Sequence, residues 1–133
     1  MSCAPVRSVL TARRVYLACP IPAYWTRRYE VRLAHLRRLA PVAEIVEPRL
    51  LPWDNPRWLA GGRGLIATCD ALVVFGLGDR SVGLGVAQEL EWAAADGVPA
   101  WELTGRGSLR PDPRAVPLPG GTLQRWARLE VGA

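Results

Sequence analysis

Glu89 is the carboxylic acid whose setting points to chemistry. It follows residues 76–85, a stretch that carries Gly76, Gly78, Gly83 and Gly85. Glycine lets a backbone turn sharply or approach a ligand closely. The preceding residues, 69–75, form a short apolar run rich in β-branched side chains, which predicts a strand buried on both faces. After the glycines, Val86, Leu90 and Ala93 fall at helical spacing and predict a helix with one buried stripe. A strand, a glycine loop and a helix N-terminus in that order make an anion- and nucleotide-binding corner of an α/β sheet. Glu89 is expected in the first turn of that helix, where the macrodipole favours the ionised carboxylate.

Other reactive side chains are sparse. Cys3, Cys19 and Cys69 have no close pair, and the lone histidine, His35, lies in a helical run without a ligand partner at metal spacing. This pattern gives no disulfide framework and no zinc site, and the reading assigns no metal and no cofactor. Residues 17–19 resemble a lipoprotein cleavage site, but only Val15 to Ala18 precede Cys19 as an apolar core, so Cys19 is expected at a strand end. The apolar runs are too short to span a bilayer, and a cytoplasmic protein without a membrane partner is expected. The net charge is +5, and every one of the 17 basic residues is arginine. These arginines are scattered, with no block of like charge, which argues against a nucleic-acid polymer as partner. A net charge of this size favours anionic partners.

At 133 residues, half of them hydrophobic, the chain is expected to be one domain with a real core. Residues 1–13 read as a loose lead-in. Val15 to Ala18 form the first strand candidate, closed by Pro20 and Pro22. Trp25, Tyr29, Leu33, Leu36 and Ala40 share one face of a helix expected from Tyr24 to Ala40; its basic face, Arg27 and Arg28 included, is read as solvated, with phosphate contact the minor alternative. Residues 44–47 predict a second strand, 48–58 a proline-broken loop with Trp53 and Trp58, and 58–68 a helix weakened by Gly61, Gly62 and Gly64. Residues 98–103 predict a fourth strand after a Gly97 helix stop. Residues 104–121 read as a Gly/Pro-rich excursion, and 123–131 as a last helix or strand. The alternation implies an α/β three-layer sandwich with a mainly parallel sheet of four to five strands, flavodoxin- or Rossmann-like. Ligands bind beyond the carboxyl ends of such strands, which gathers residues 16–22, 48–58 and 76–89 around one mouth.

Three stretches, 15–21, 69–75 and 82–93, stand in the order and spacing of one family, and Pro52-Trp53-Asp54-Asn55 matches a second-loop segment of some members. On these residues the chain resembles the nucleoside 2-deoxyribosyltransferase superfamily, which includes nucleoside 5′-monophosphate N-glycosidases. The likeness covers residues 14–103. It implies that Glu89, four residues after Gly85, is the nucleophile. A carboxylate suits that role: it attacks the anomeric carbon as the base leaves, and water or a second base resolves the glycosyl ester. Tyr16 matches the tyrosine that orients the nucleophile. Cys19, Pro20, Ile21, Ser81, Gly83 and Gly85 are then expected around the sugar or phosphate, with Trp53, Asn55 and, as an alternative stacking residue, Trp58 near the base. The partner is a nucleoside or nucleotide, and a homodimer or higher homo-oligomer is expected.

The sequence also departs from the family. The aspartate that helps protonate the leaving base, eight residues before Asp70, is replaced by Gly62. The acid before the loop glycines is Ser81, and an arginine of phosphate-specific members is Pro22. Asp54 is the candidate replacement acid, with Asp79 an alternative, while Asp70 reads as structural. The leading expectation is cleavage or transfer at an N-glycosidic bond. A non-catalytic nucleotide-sensing module is the alternative. A phosphoribohydrolase of the lysine-decarboxylase-like type is a third, its glycine motif half matched by residues 83–89.

Overall fold

The computed structural model describes residues 9, 11–78, 80–111 and 113. Most of the expected lead-in, the end of the excursion, the expected element at 123–131 and Asp79 lie outside the described residues. The elements run β1 (Arg14–Ala18), α1 (Arg27–Leu39), β2 (Glu44–Val46), α2 (Asn55–Ala67), β3 (Ala71–Val74), α3 (Gly83–Ala95), β4 (Ala100–Leu103) and β5 (Leu109–Pro111). Short 3-10 turns at Ile21–Ala23 and Pro48–Leu50 follow β1 and β2.

The strands form one sheet in the order β2-β1-β3-β4-β5. The first four are parallel, and β5 runs antiparallel to β4. Strand alternation divides the core. Val15 and Leu17 pack with Tyr29, Leu33 and Leu36 of α1 on one face. Tyr16 and Ala18 pack with Ile66 of α2 and with Val86 and Ala93 of α3 on the other. The result is the expected three-layer α/β sandwich, with the chain leaving β1 and β3 in opposite directions. That switch point is where open α/β sheets leave a crevice at their carboxyl ends.

Several boundaries differ from expectation for physical reasons. Tyr24 and Trp25 precede α1, because the Thr26 hydroxyl accepts the Tyr29 amide and fixes the helix start there. Trp25 is therefore exposed rather than part of the buried stripe. Helix α2 starts at Asn55, not Trp58, since the Asp54 carboxylate accepts the Arg57 amide at 3.0 Å and Pro56 occupies the first turn. The excursion contains β5, reached through a turn in which the Thr104 amide donates to the Ser108 carbonyl at 2.9 Å. Val9 and Ala12 of the expected loose lead-in are buried in the α1-side core. Asp70 has the structural role expected of it, accepting the Arg13 and Arg14 amides at 2.8 and 3.2 Å and joining the starts of β1 and β3.

The loop between β3 and α3 is compact. Leu77 donates to the Ser81 carbonyl at 2.9 Å and Arg80 to the Leu77 carbonyl at 2.8 Å. A Cβ on Gly76 would lie 2.5 Å from the Arg80 carbonyl oxygen, so only glycine fits there. Arg80 forks Glu102 of β4 at 2.8 and 2.6 Å, which ties the loop to the sheet. Among the described residues no helix is long and apolar enough to cross a membrane.

Candidate active site

Tyr16 lies in the middle of β1 and points toward the α2–α3 layer. Val86, Glu89 and Ala93 are all buried on α3, and their helical spacing turns the Glu89 carboxyl toward the same layer. The two side chains meet there: the Tyr16 hydroxyl donates to Oε2 of Glu89. Trp58 of α2 brings its indole to the same place and donates Nε1–H to Oε2 at 3.3 Å. One strand and two helices thus converge on a single oxygen. Glu89 is only 5% exposed.

Burial sets the electrostatics. It pushes the Glu89 carboxyl from its ordinary value up to about 7, against the opposing pull of the Tyr16 and Trp58 hydrogen bonds. This corrects the expectation of a helix-start carboxylate held ionised. Because α3 begins at Gly83, Glu89 lies in the second turn, beyond the favourable end of the dipole. Desolvation also raises the Tyr16 phenol, helped by the neighbouring Glu89 charge. The Tyr24 phenol is raised by burial first, then by Cys19 and Glu89. Both tyrosines stay neutral near pH 7, so Tyr16 donates to the carboxylate rather than competing with it.

Gly62, where the sequence resemblance places an acid, is closely packed by aromatic rings. A Cβ there would lie 2.8 Å from the Trp92 ring and 3.3 Å from the Trp58 indole. The two indoles pack with centroids 5.0 Å apart and fill the space an aspartate side chain would need. Within this aromatic packing the Trp58 N–H is directed to Glu89. Trp92 was not anticipated as a neighbour, nor was Tyr24. The available signal was the Gly61-Gly62 pair inside a tryptophan-bearing helix, since adjacent helical glycines admit large side chains from a neighbouring helix.

The other expected residues separate into two groups. Cys19 and Pro20 are buried at the end of β1, and Ser81 and Gly83 are buried at the start of α3. Gly85 is exposed, with the Trp58 ring edge 4.0 Å from the position of its absent Cβ. These residues border the switch point. By contrast, Ile21 is 71% exposed, Asn55 is exposed at the start of α2, and Asp54 has its carboxylate on the α2 cap. Trp53 lies against Gly61, its ring 3.0 Å from where a Cβ would stand. It packs on α2. Arg28 comes to Gly78 of the β3–α3 loop, 3.3 Å from its absent Cβ, whereas Arg27 is exposed.

Among the described residues no group of histidine, cysteine and acidic side chains is arranged to hold a metal ion. Cys19 and Cys69 are buried, and neither is in a disulfide among the described residues.

Fold and site together define a five-stranded α/β sandwich with a buried carboxyl held by a phenol and an indole at its switch point. The structure of a conserved protein from Enterococcus faecalis V583 is similar to this fold, with a TM-score of 0.53 and 20% sequence identity. That likeness covers 68% of this chain and 62% of the other, so the match spans somewhat under two thirds of that protein's length. No protein-family model and no curated protein matches the sequence.

Proposed function

We propose that the protein cleaves or transfers at the N-glycosidic bond of a nucleoside or nucleotide, with Glu89 as nucleophile. The observation that carries this reading is the buried Glu89 carboxyl with both described donors, Tyr16 and Trp58, on Oε2. With both described donors on Oε2, Oε1 is the oxygen assigned to the attack on an anomeric carbon. Tyr16 and Trp58 fix the rotamer and stabilise the negative charge that burial opposes. Burial that raises the carboxyl makes the ionised Glu89 a stronger nucleophile, and the Tyr16 and Trp58 hydrogen bonds assist its departure from the glycosyl ester in the second step.

The test is product analysis. The wild type and Glu89→Gln are incubated with nucleosides and nucleoside 5′-monophosphates, with and without an acceptor base. Chromatography should show free base from the wild type alone. Dependence on the acceptor separates transfer from hydrolysis.

The second reading is a nucleotide-binding module without turnover. It is favoured by Gly62 and by the two indoles packed over it, which leave no acid in the family position. Nucleotide binding by both the wild type and Glu89→Gln, with no base released by either, would establish this reading instead.

A further inference from the structure

Helices α2 and α3 meet around Gly62. On α2, Trp58 and Gly62 are one turn apart and share a face, and on α3 Glu89 and Trp92 do the same. Both indoles use the missing side chain of Gly62. A Cβ there would lie 2.8 Å from the six-membered ring of Trp92 and 3.3 Å from Cδ1 and Nε1 of Trp58. Cδ1 and Nε1 form the edge of Trp58 that carries the N–H, so the donor itself rests in the glycine notch. Trp92 packs on Trp58 from α3, with ring centroids 5.0 Å apart and planes inclined by 49°. Beside this cluster Arg63 forks Asp96 at 2.9 and 2.8 Å and fastens the same two helices.

The aim of the Trp58 donor matters because it is barely within reach. Its Nε1 lies 3.3 Å from Oε2 of Glu89, so a displacement of a few tenths of an ångström breaks the bond. An indole turns about two side-chain torsions, and packing against Gly62 and Trp92 opposes that turning.

We propose that Trp92 is a positioning residue for Glu89 that acts through Trp58: it holds the indole in the Gly62 notch with its N–H on Oε2, and so keeps the carboxylate supplied with its second donor. The inference rests on the reading of Glu89 as nucleophile and adds to it a residue on the far side of the indole. The Trp58 hydrogen bond lowers the Glu89 pKa against the dominant rise from burial, so loss of its aim should lift that pKa further above about 7. Among the described residues the titratable groups near the carboxyl are the Tyr16 and Tyr24 phenols, from β1 and the turn after it, and both remain neutral.

The test follows the Glu89 carboxyl by NMR titration of the full chain carrying isotopically labelled glutamate, with the resonance assigned by its absence from Glu89→Gln. Trp58→Phe, which removes the donor and keeps a ring, should raise the midpoint by roughly one pH unit. Trp92→Leu leaves the donor in place and should raise it by at least about half as much. Combined with Trp58→Phe, Trp92→Leu should raise it no further, because the path through the indole is already gone. Trp92→Met should behave as Trp92→Leu does, and takes its place if that variant does not fold. A midpoint that stays or falls in either single variant, or that rises equally in the wild-type and Trp58→Phe backgrounds, would overturn the proposal. The titration needs no turnover, so the positioning role and the glycosidase reading fail separately. Absence of base release together with the expected midpoints would remove the nucleophile and leave the positioning of the carboxyl standing.

Discussion

The Tyr16 hydroxyl donates to Oε2 of Glu89, joining the middle of the first strand to the second turn of the third helix. These residues are 73 positions apart in the sequence, and the bond is buried. It is the link through which the sheet positions the proposed nucleophile. The Trp58 indole adds the second helix to the same oxygen.

Tyr16→Phe should lower kcat/KM by roughly 10- to 100-fold, the worth of a hydrogen bond to a charged group at about 1.5–3 kcal/mol. The donor stabilises the carboxylate form, so its loss should raise the Glu89 pKa further above about 7. The rising limb of the pH–rate profile should therefore move to higher pH. An unchanged limb would mean that Tyr16 does not hold the carboxylate.

Glu89 should also limit stability. Its carboxyl is raised from 4.5 in the free side chain to about 7 in the fold, so the unfolded chain gives up its proton first. The stability carried by the protonated form is complete below about pH 4.5, declines as pH rises between the two values, and is gone above about 7. The ceiling of this effect is roughly 3 kcal/mol. Glu89→Gln, whose amide oxygen still accepts from Tyr16, should match the wild type at pH 4 and melt at a higher temperature at pH 8. Equal melting at both pH values would show that the carboxyl is not raised in the fold.

The two helical glycines Gly62 and Gly64 should respond in opposite senses. Gly64 meets nothing within 4 Å of a built Cβ, so Gly64→Ala should stabilise α2 by about 0.5–1 kcal/mol through helix propensity. Gly62→Ala gains the same propensity but pushes into Trp92 and Trp58, and overpacking of this kind costs about 1–3 kcal/mol. Urea unfolding of both variants measures the contrast. Stabilisation by Gly62→Ala would mean that the indoles give way freely.

Asp54→Ala should cost about 1 kcal/mol through loss of the α2 cap, whereas Asp54→Asn should retain it. Base release by Asp54→Asn should equal that of the wild type. A 100-fold loss in a variant that melts normally would instead identify Asp54 as the replacement acid.

Much of this architecture was legible because local pattern and burial agree. The apolar run at 71–74 could form little other than a central strand, and Tyr29, Leu33 and Leu36 had the spacing of a buried helical face. The pairing of Tyr16 with Glu89 came from the family resemblance, since nothing local relates a strand tyrosine to a glutamate 73 residues away. The approach of Trp58 was hidden by its surroundings. Prolines at 52 and 56 suggested a loop through that tryptophan, yet Pro56 fits the first turn of α2 and Asp54 supplies the cap. That shift of the helix start places Trp58 inside the helix, where its indole reaches Glu89. The small β5 strand was obscured by glycine and proline, whose turn preferences suit the hairpin that leads into it.

The most direct test of the central claim is covalent capture of Glu89. The protein is mixed with a 2-deoxy-2-fluoro nucleoside, whose fluorine slows hydrolysis of a glycosyl ester, and is then digested and analysed by mass spectrometry. One added 2-fluoroglycosyl group is expected on the peptide that carries Glu89, absent from Glu89→Gln. Base released from this substrate with no adduct on Glu89, or with the adduct on another residue, would contradict it.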